Sequence, residues 1–161
     1  VQGCGGPTHS GSAVVKFDKI NSIAHLTFAT PVCYSTTPIA LVAPACQSLG
    51  VEPGDLIVAH DEIDLAFGSL RVKVGGGHGG HNGLRSIGSA LVESGYNRLR
   101  MGVGRPPGGG DVSGHVLSRF NAAERKQLGT YIVVATEALE MLLCEGTQQA
   151  MNSYNNREIL T

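Results

Sequence analysis

The sequence predicts an α/β fold: a single domain with a twisted mixed β-sheet flanked by helices. Three observations predict it. Short β-prone runs alternate with segments of helical period, which is the pattern of a sheet covered by helices. The longest helical segment has both a capping signal and an apolar stripe. The 161 residues suit one compact domain, 42% are hydrophobic and 16% charged, and no repeat or linker divides them.

Residues 13–17 and 24–29 are β-prone runs separated by Asp18-Lys19-Ile20-Asn21-Ser22, which reads as a hairpin. Thr37 followed by Pro38 opens a helix, with threonine as the cap and proline at the first helical position. That helix is expected to run to Leu49, stop at Gly50 and kink at Pro44. Residues 56–59 form an apolar strand that ends in His60-Asp61-Glu62. Residues 70–74 form the next strand and lead into a glycine run. Asn82 can cap a short helix through residues 84–91, and residues 98–103 form a further strand. After a Pro/Gly loop at 105–110, Asn121-Ala122-Ala123-Glu124 resembles a capping box. Leu128, Ile132, Ala135, Leu139 and Leu142 then recur at helical spacing until Gly146, and a last short helix covers residues 147–154.

No stretch approaches the ~20 apolar residues of a membrane span. The opening Val1-Gln2-Gly3-Cys4-Gly5-Gly6-Pro7 does not read as a signal peptide, and without an initiator methionine it suggests a processed or incomplete end. Cys4, Cys33, Cys46 and Cys144 form neither a zinc pattern nor a dense disulfide framework, so a reducing cytoplasm is the simplest setting. Cys33, Cys46 and Cys144 are expected in the core.

The net charge of −1 conceals an uneven distribution. Residues 1–64 carry two Lys against six Asp and Glu, a balance of −4. Residues 65–110 carry Arg71, Lys73, Arg85, Arg98, Arg100 and Arg105 against Glu93, a balance of +5. Residues 111–161 carry four basic and six acidic groups, a balance of −2. Local potential steers a polyanion, so a phosphate-bearing partner is open on this evidence; a solvated basic face is the alternative.

The sharpest motif is Gly75-Gly76-Gly77-His78-Gly79-Gly80-His81-Asn82-Gly83. A structural turn needs one or two glycines; six in nine positions allow positive φ and a close approach of backbone to ligand. Gly75, Gly77 and Gly80 also spell G-x-G-x-x-G, but no acidic residue ends the following strand, so a dinucleotide site is the weaker reading. The second motif is Val58-Ala59-His60-Asp61-Glu62-Ile63-Asp64 at the end of an apolar strand, where functional groups gather in open α/β sheets. An aspartate there can hold an imidazole in the tautomer that takes a proton from water. Three carboxylates also suggest a hard cation, but no partner ligand has the right spacing, and no metal is expected.

HDEIDL (residues 60–65) and KVGGGHGGHNGLRS (residues 73–86), in the run that begins at Asp55, resemble the core of bacterial-type peptidyl-tRNA hydrolases. The resemblance continues through Arg98-Leu99-Arg100-Met101-Gly102-Val103-Gly104-Arg105-Pro106, then residues 116–120 and 150–155, and covers about residues 30–156. It implies cofactor-free hydrolysis of the ester between a peptide and the 3′ ribose of tRNA, by a cytoplasmic monomer. By position, Asp61 resembles the carboxylate that orients the catalytic histidine, and Asn82 the amide that binds the ester end and places the water. His81 joins Asn82 as a substrate-binding residue. Lys73 and Arg100 resemble a basic pair that grips a tRNA phosphate, and residues 110–120 a lid over the peptide groove.

The family's opening strand, G-L-G-N-P-G turn and T-R-H-N segment are only echoed by Gly3-Cys4-Gly5-Gly6-Pro7 and Thr8-His9-Ser10-Gly11. His9 is the candidate general base, an incidental terminal histidine is the other reading, and His25 is a substitute. In the wall of the groove Tyr34 matches the family's aromatic, whereas Thr36 replaces its Asn and so loses an amide's paired donor and acceptor. Two functions are carried forward: peptidyl-tRNA hydrolysis, and an inactive relative that binds RNA or a protein partner with the same groove.

Overall fold

The computed structural model describes residues 14–16, 44, 46, 47, 51–91, 95–155, 157 and 159. Four strands form one sheet: β1 (Val14–Lys16), β2 (Ile57–Glu62), β3 (Leu70–Val74) and β4 (Asn97–Gly102), in the order β1-β2-β4-β3. β1 and β4 both run parallel to β2, while β3 runs antiparallel to β4, so the sheet is mixed, as expected. Among the described residues the longer helices are α1 (Asn82–Leu91), between β3 and β4, and then α2 (Val112–Leu117), α3 (Ala122–Cys144) and α4 (Thr147–Tyr154). Residues 24–29, the expected second arm of a hairpin, lie outside the described residues. So does most of the 37–49 segment, of which Pro44, Cys46 and Gln47 are helical.

Alternation along the strands separates two apolar layers. Ile57, Ala59, Leu70, Val72 and Leu99 pack with Tyr131, Ala135, Ala138, Leu139 and Leu142 of α3 and with Ala150 and Tyr154 of α4. On the other side Leu56 and Val58 pack with Leu84 and Ile87 of α1, and with Cys46, Val51 and Tyr96. Three of the five apolar positions expected to bury α3 do so; Tyr131 and Ala138 complete its stripe, while Leu128 and Ile132 are half-buried. With 23 residues α3 is long and apolar enough to cross a membrane, contrary to expectation, yet its stripe belongs to the layer against the sheet. Cys46 is buried as expected, but Cys144 is exposed at the carboxyl end of α3.

Local chemistry sets the element ends. The Asn121 side chain accepts from the Ala123 and Glu124 N–H groups, and Glu124 accepts from the Asn121 N–H: the capping box is formed. β3 is an edge strand, and the Asn155 side chain covers its open side. Its Oδ1 accepts from the Val72 N–H (2.7 Å) and its Nδ2 donates to the Val72 carbonyl (3.0 Å). The buried Tyr131 hydroxyl lies 2.7 Å from the Ser69 carbonyl and 3.2 Å from that of Gly102, which ties α3 to the start of β3 and the end of β4.

β2 is longer than its apolar run. It continues through His60, Asp61 and Glu62, because β4 keeps pairing with it as far as Glu62 opposite Gly102. The polar residues expected just beyond the strand are therefore its last three residues. β4 also starts and ends one residue earlier than expected, with Val103 outside it.

Candidate active site

Asp61 stands near the carboxyl end of β2 and is bonded to His81, the residue just before α1. The Leu84 N–H donates to His81 Nδ1 (3.3 Å), so Nε2 carries the proton and donates to Asp61 Oδ1 (3.0 Å). His81 thus caps α1 in the place expected for Asn82, which is instead the first helical residue and is exposed. Burial pushes the Asp61 carboxyl up, but the His81 hydrogen bond and the neighbouring His81 and His60 rings outweigh it and hold the group below its ordinary value.

His60 lies behind this pair. It is 2% exposed, its ring meets that of His81 edge-on at 5.2 Å, and its Nδ1–H donates to the Asp61 carbonyl (2.7 Å). Burial lowers its pKa from 6.5 to about 4, despite that bond, and its Nε2 is buried with no hydrogen-bond partner. His60 is therefore a neutral wedge. With His60 Nε2 buried and His81 Nδ1 accepting from Leu84, neither of these two rings offers an open basic nitrogen in this arrangement.

The glycine run uses the freedom its composition suggests: Gly75, Gly76, Gly79 and Gly80 all have φ between 55° and 95°. The loop is held by Arg98, whose Nη1 donates to the Gly77 carbonyl (2.8 Å) and whose Nη2 donates to that of Gly76. Arg98 is 4% exposed and its guanidinium sits 4.7 Å above the Tyr96 ring. The sequence pointed to a surface cation here; this residue instead builds the loop. A buried arginine was not legible from charge counting. The signal was its place in a strand between Tyr96 and Leu99, both fully buried.

Register brings the basic residues together. Lys73 lies opposite Arg98 and Arg71 opposite Arg100, all on the sheet face that α1 covers only in part. Lys73 and Arg100 are consequently diagonal neighbours on one face. Lys73 is exposed, and a Cβ at Gly76 would stand 3.0 Å from its Nζ, so this side chain lies along the glycine loop. Arg100 is paired: its Nε and Nη2 are each 2.9 Å from Glu62 Oε2. Arg105 is likewise paired with Asp64. The linear charge blocks had counted those two acids with the other half of the chain.

The expected lid, residues 110–120, contains α2, capped by Asp111, which accepts from the Ser113 N–H (3.0 Å). Leu117 is exposed on it, and Phe120 meets Phe67 edge-on at 5.6 Å. His9, His25, Tyr34 and Thr36 lie outside the described residues. Among the described residues no group of three or more His, Cys, Asp or Glu is arranged to hold a metal ion.

Comparison with known proteins identifies the family. The family model described as peptidyl-tRNA hydrolase matches residues 9–161. The peptidyl-tRNA hydrolase of Syntrophotalea carbinolica is 52% identical over 81% of this chain and 68% of its own length. That of Mycolicibacterium smegmatis is 45% identical over 78% of this chain and 65% of its own. The chain thus spans about two thirds of the length of these curated relatives. The crystal structure of peptidyl-tRNA hydrolase from Acinetobacter baumannii superposes with a TM-score of 0.65 at 36% identity, over 74% of this chain and 60% of that one. Sequence match and shared fold converge, and the chain belongs to the peptidyl-tRNA hydrolase family.

Proposed function

We propose that this chain hydrolyses the ester between a peptide and the 3′ end of tRNA, releasing the tRNA for reuse. The observation that carries the reading is the Asp61–His81 hydrogen bond beside Asn82 and the glycine loop. It holds a carboxylate below its ordinary pKa at the carboxyl end of a parallel strand, where substrates bind in such sheets. One Asp61 oxygen accepts from His81; the carboxylate orients the imidazole that acts as base, and His9 is that imidazole. The base takes a proton from water, the resulting hydroxide attacks the ester carbonyl, and the 3′ hydroxyl of the ribose leaves with a proton returned from the imidazolium. Asn82, exposed at the head of α1, orients the ester and the water.

Lys73 and Arg100 grip a phosphate of the tRNA; their diagonal placement on one open face supports this. Tyr34, Thr36 and His81 are the remaining substrate-binding residues of this reading. The reaction needs no cofactor and no metal. The chain is taken to act as a monomer built as a single domain. The substrate belongs to translation, which supports a cytoplasmic setting.

The test is turnover of an N-blocked aminoacyl-tRNA by the wild type and by Asp61→Asn and His9→Ala, with tRNA binding measured in parallel. Both variants are expected to lose on the order of 10² or more in rate while binding persists. A wild type that binds tRNA without turnover supports the inactive relative instead.

A further inference from the structure

Arg100 reaches its place by being held against a repulsion. Arg71 lies directly opposite it on β3, and like charges so placed push each other apart. Glu62, near the end of the neighbouring strand β2, opposes that push. Its Oε2 accepts from both Nε and Nη2 of Arg100 (2.9 Å each), and its Oε1 accepts from the Asp64 N–H (3.2 Å). The carboxylate is therefore fixed on one side by backbone and on the other by guanidinium. The pair is partly covered, with the side chains 25% and 16% exposed.

A guanidinium has five N–H groups, and Glu62 uses the side-on pair. The end-on edge, formed by Nη1 and the second Nη2 hydrogen, is not used by that contact. A phosphate takes two parallel N–H bonds from such an edge.

We propose that Glu62 is a positioning residue for tRNA: it aims the end-on edge of Arg100 at a phosphate that a freely rotating arginine would meet only at an entropic cost. The proposal rests on the reading of Arg100 as a phosphate-binding residue. It makes an acidic side chain favour the binding of a polyanion, the opposite of what its charge does at long range, so the sign of the effect decides.

The experiment is equilibrium binding of deacylated tRNA across a salt series to the wild type, Glu62→Ala, Glu62→Gln, Arg100→Ala and the Glu62→Ala/Arg100→Ala pair. Thermal unfolding of each variant reports whether the fold persists. Glu62→Ala is expected to weaken binding roughly two- to tenfold, the cost of ordering one long side chain. Its salt slope should stay near that of the wild type, because Arg100 still meets the phosphate once it is ordered. Glu62→Gln, which keeps an oxygen for the side-on bonds, should recover part of the loss, and it reads the proposal even if Glu62→Ala does not fold. The double variant should bind no more weakly than Arg100→Ala alone. Tighter or unchanged binding in Glu62→Ala, no recovery in Glu62→Gln, or additive losses in the double variant each overturn the proposal. If Arg100→Ala itself leaves affinity and slope unchanged, the phosphate reading falls first; if Arg100→Ala weakens binding and Glu62→Ala does not, only the role of Glu62 falls.

Discussion

His60 is built into the site in a form that water would not favour: neutral, 2% exposed, and next to another imidazole. Its depressed pKa means that the unfolded chain binds the extra proton first as the pH falls. The stabilising effect of keeping it neutral is complete above about 6.5 and is lost between there and about 4. The shift from 6.5 to about 4 corresponds to roughly 3 kcal/mol at 1.36 kcal/mol per unit. Urea unfolding at several pH values should show stability falling over that window, and a His60→Asn variant should flatten the fall. Asp61 has the same sign for a different reason: its lowered pKa favours the fold above the ordinary carboxylate range and is lost as the pH drops through the folded value. At this scale the sequence was legible where chemistry is local. Asp61 at a strand end and the His81-Asn82 pair after a glycine run were readable from residue type and order. The Asp61–His81 bond, the burial that keeps His60 neutral and the interior Arg98 were not, because each depends on tertiary packing, as the separation of 20 positions between Asp61 and His81 shows.

The elements that position the site depend on two close fits. Gly102 ends β4, and a Cβ there would overlap the Ala66 carbonyl oxygen and stand 3.0 Å from Leu65 Cβ. Backbone cannot yield as a flexible side chain does, so Gly102→Ala is expected to cost at least about 2 kcal/mol. Calorimetry should then show Tm lowered by roughly 4 °C or more. Asn155 completes β3, and Asn155→Ala leaves the Val72 N–H and carbonyl without their partner on the open edge, at a cost of about 1–3 kcal/mol. Hydrogen exchange at Val72 should accelerate in that variant, while amides in the middle of α3 keep their protection. The span of β3 and the capping box of α3 were legible because they rest on short-range pattern. The extension of β2 through His60-Asp61-Glu62 was not: polarity marked the end of the apolar run, whereas pairing with β4 decides where the strand ends.

Across the whole molecule, charge is distributed by folding rather than by chain order. The +5 block of residues 65–110 meets Glu62 and Asp64 from the −4 block, and Arg98 is withdrawn into the glycine loop. Arg71, Lys73 and Arg85 remain exposed, beside a partly exposed Arg100. The expected polyanion surface is therefore smaller and more localised than the linear count implied. Lys73→Ala should accordingly weaken tRNA binding and reduce its salt slope by about 0.7 to 0.9 in log–log form, with thermal stability unchanged because the side chain is exposed. The central claim is that this fold turns Asp61 into the orienter of a water-activating imidazole. It is tested most directly by the pH–rate profile of N-blocked aminoacyl-tRNA hydrolysis by this chain, with Asp61→Asn beside it. Turnover is expected to rise through the imidazole range near ~6.5 and to fall by on the order of 10² or more in the variant. Turnover that ignores pH and survives Asp61→Asn, or tRNA binding with no turnover, would contradict it.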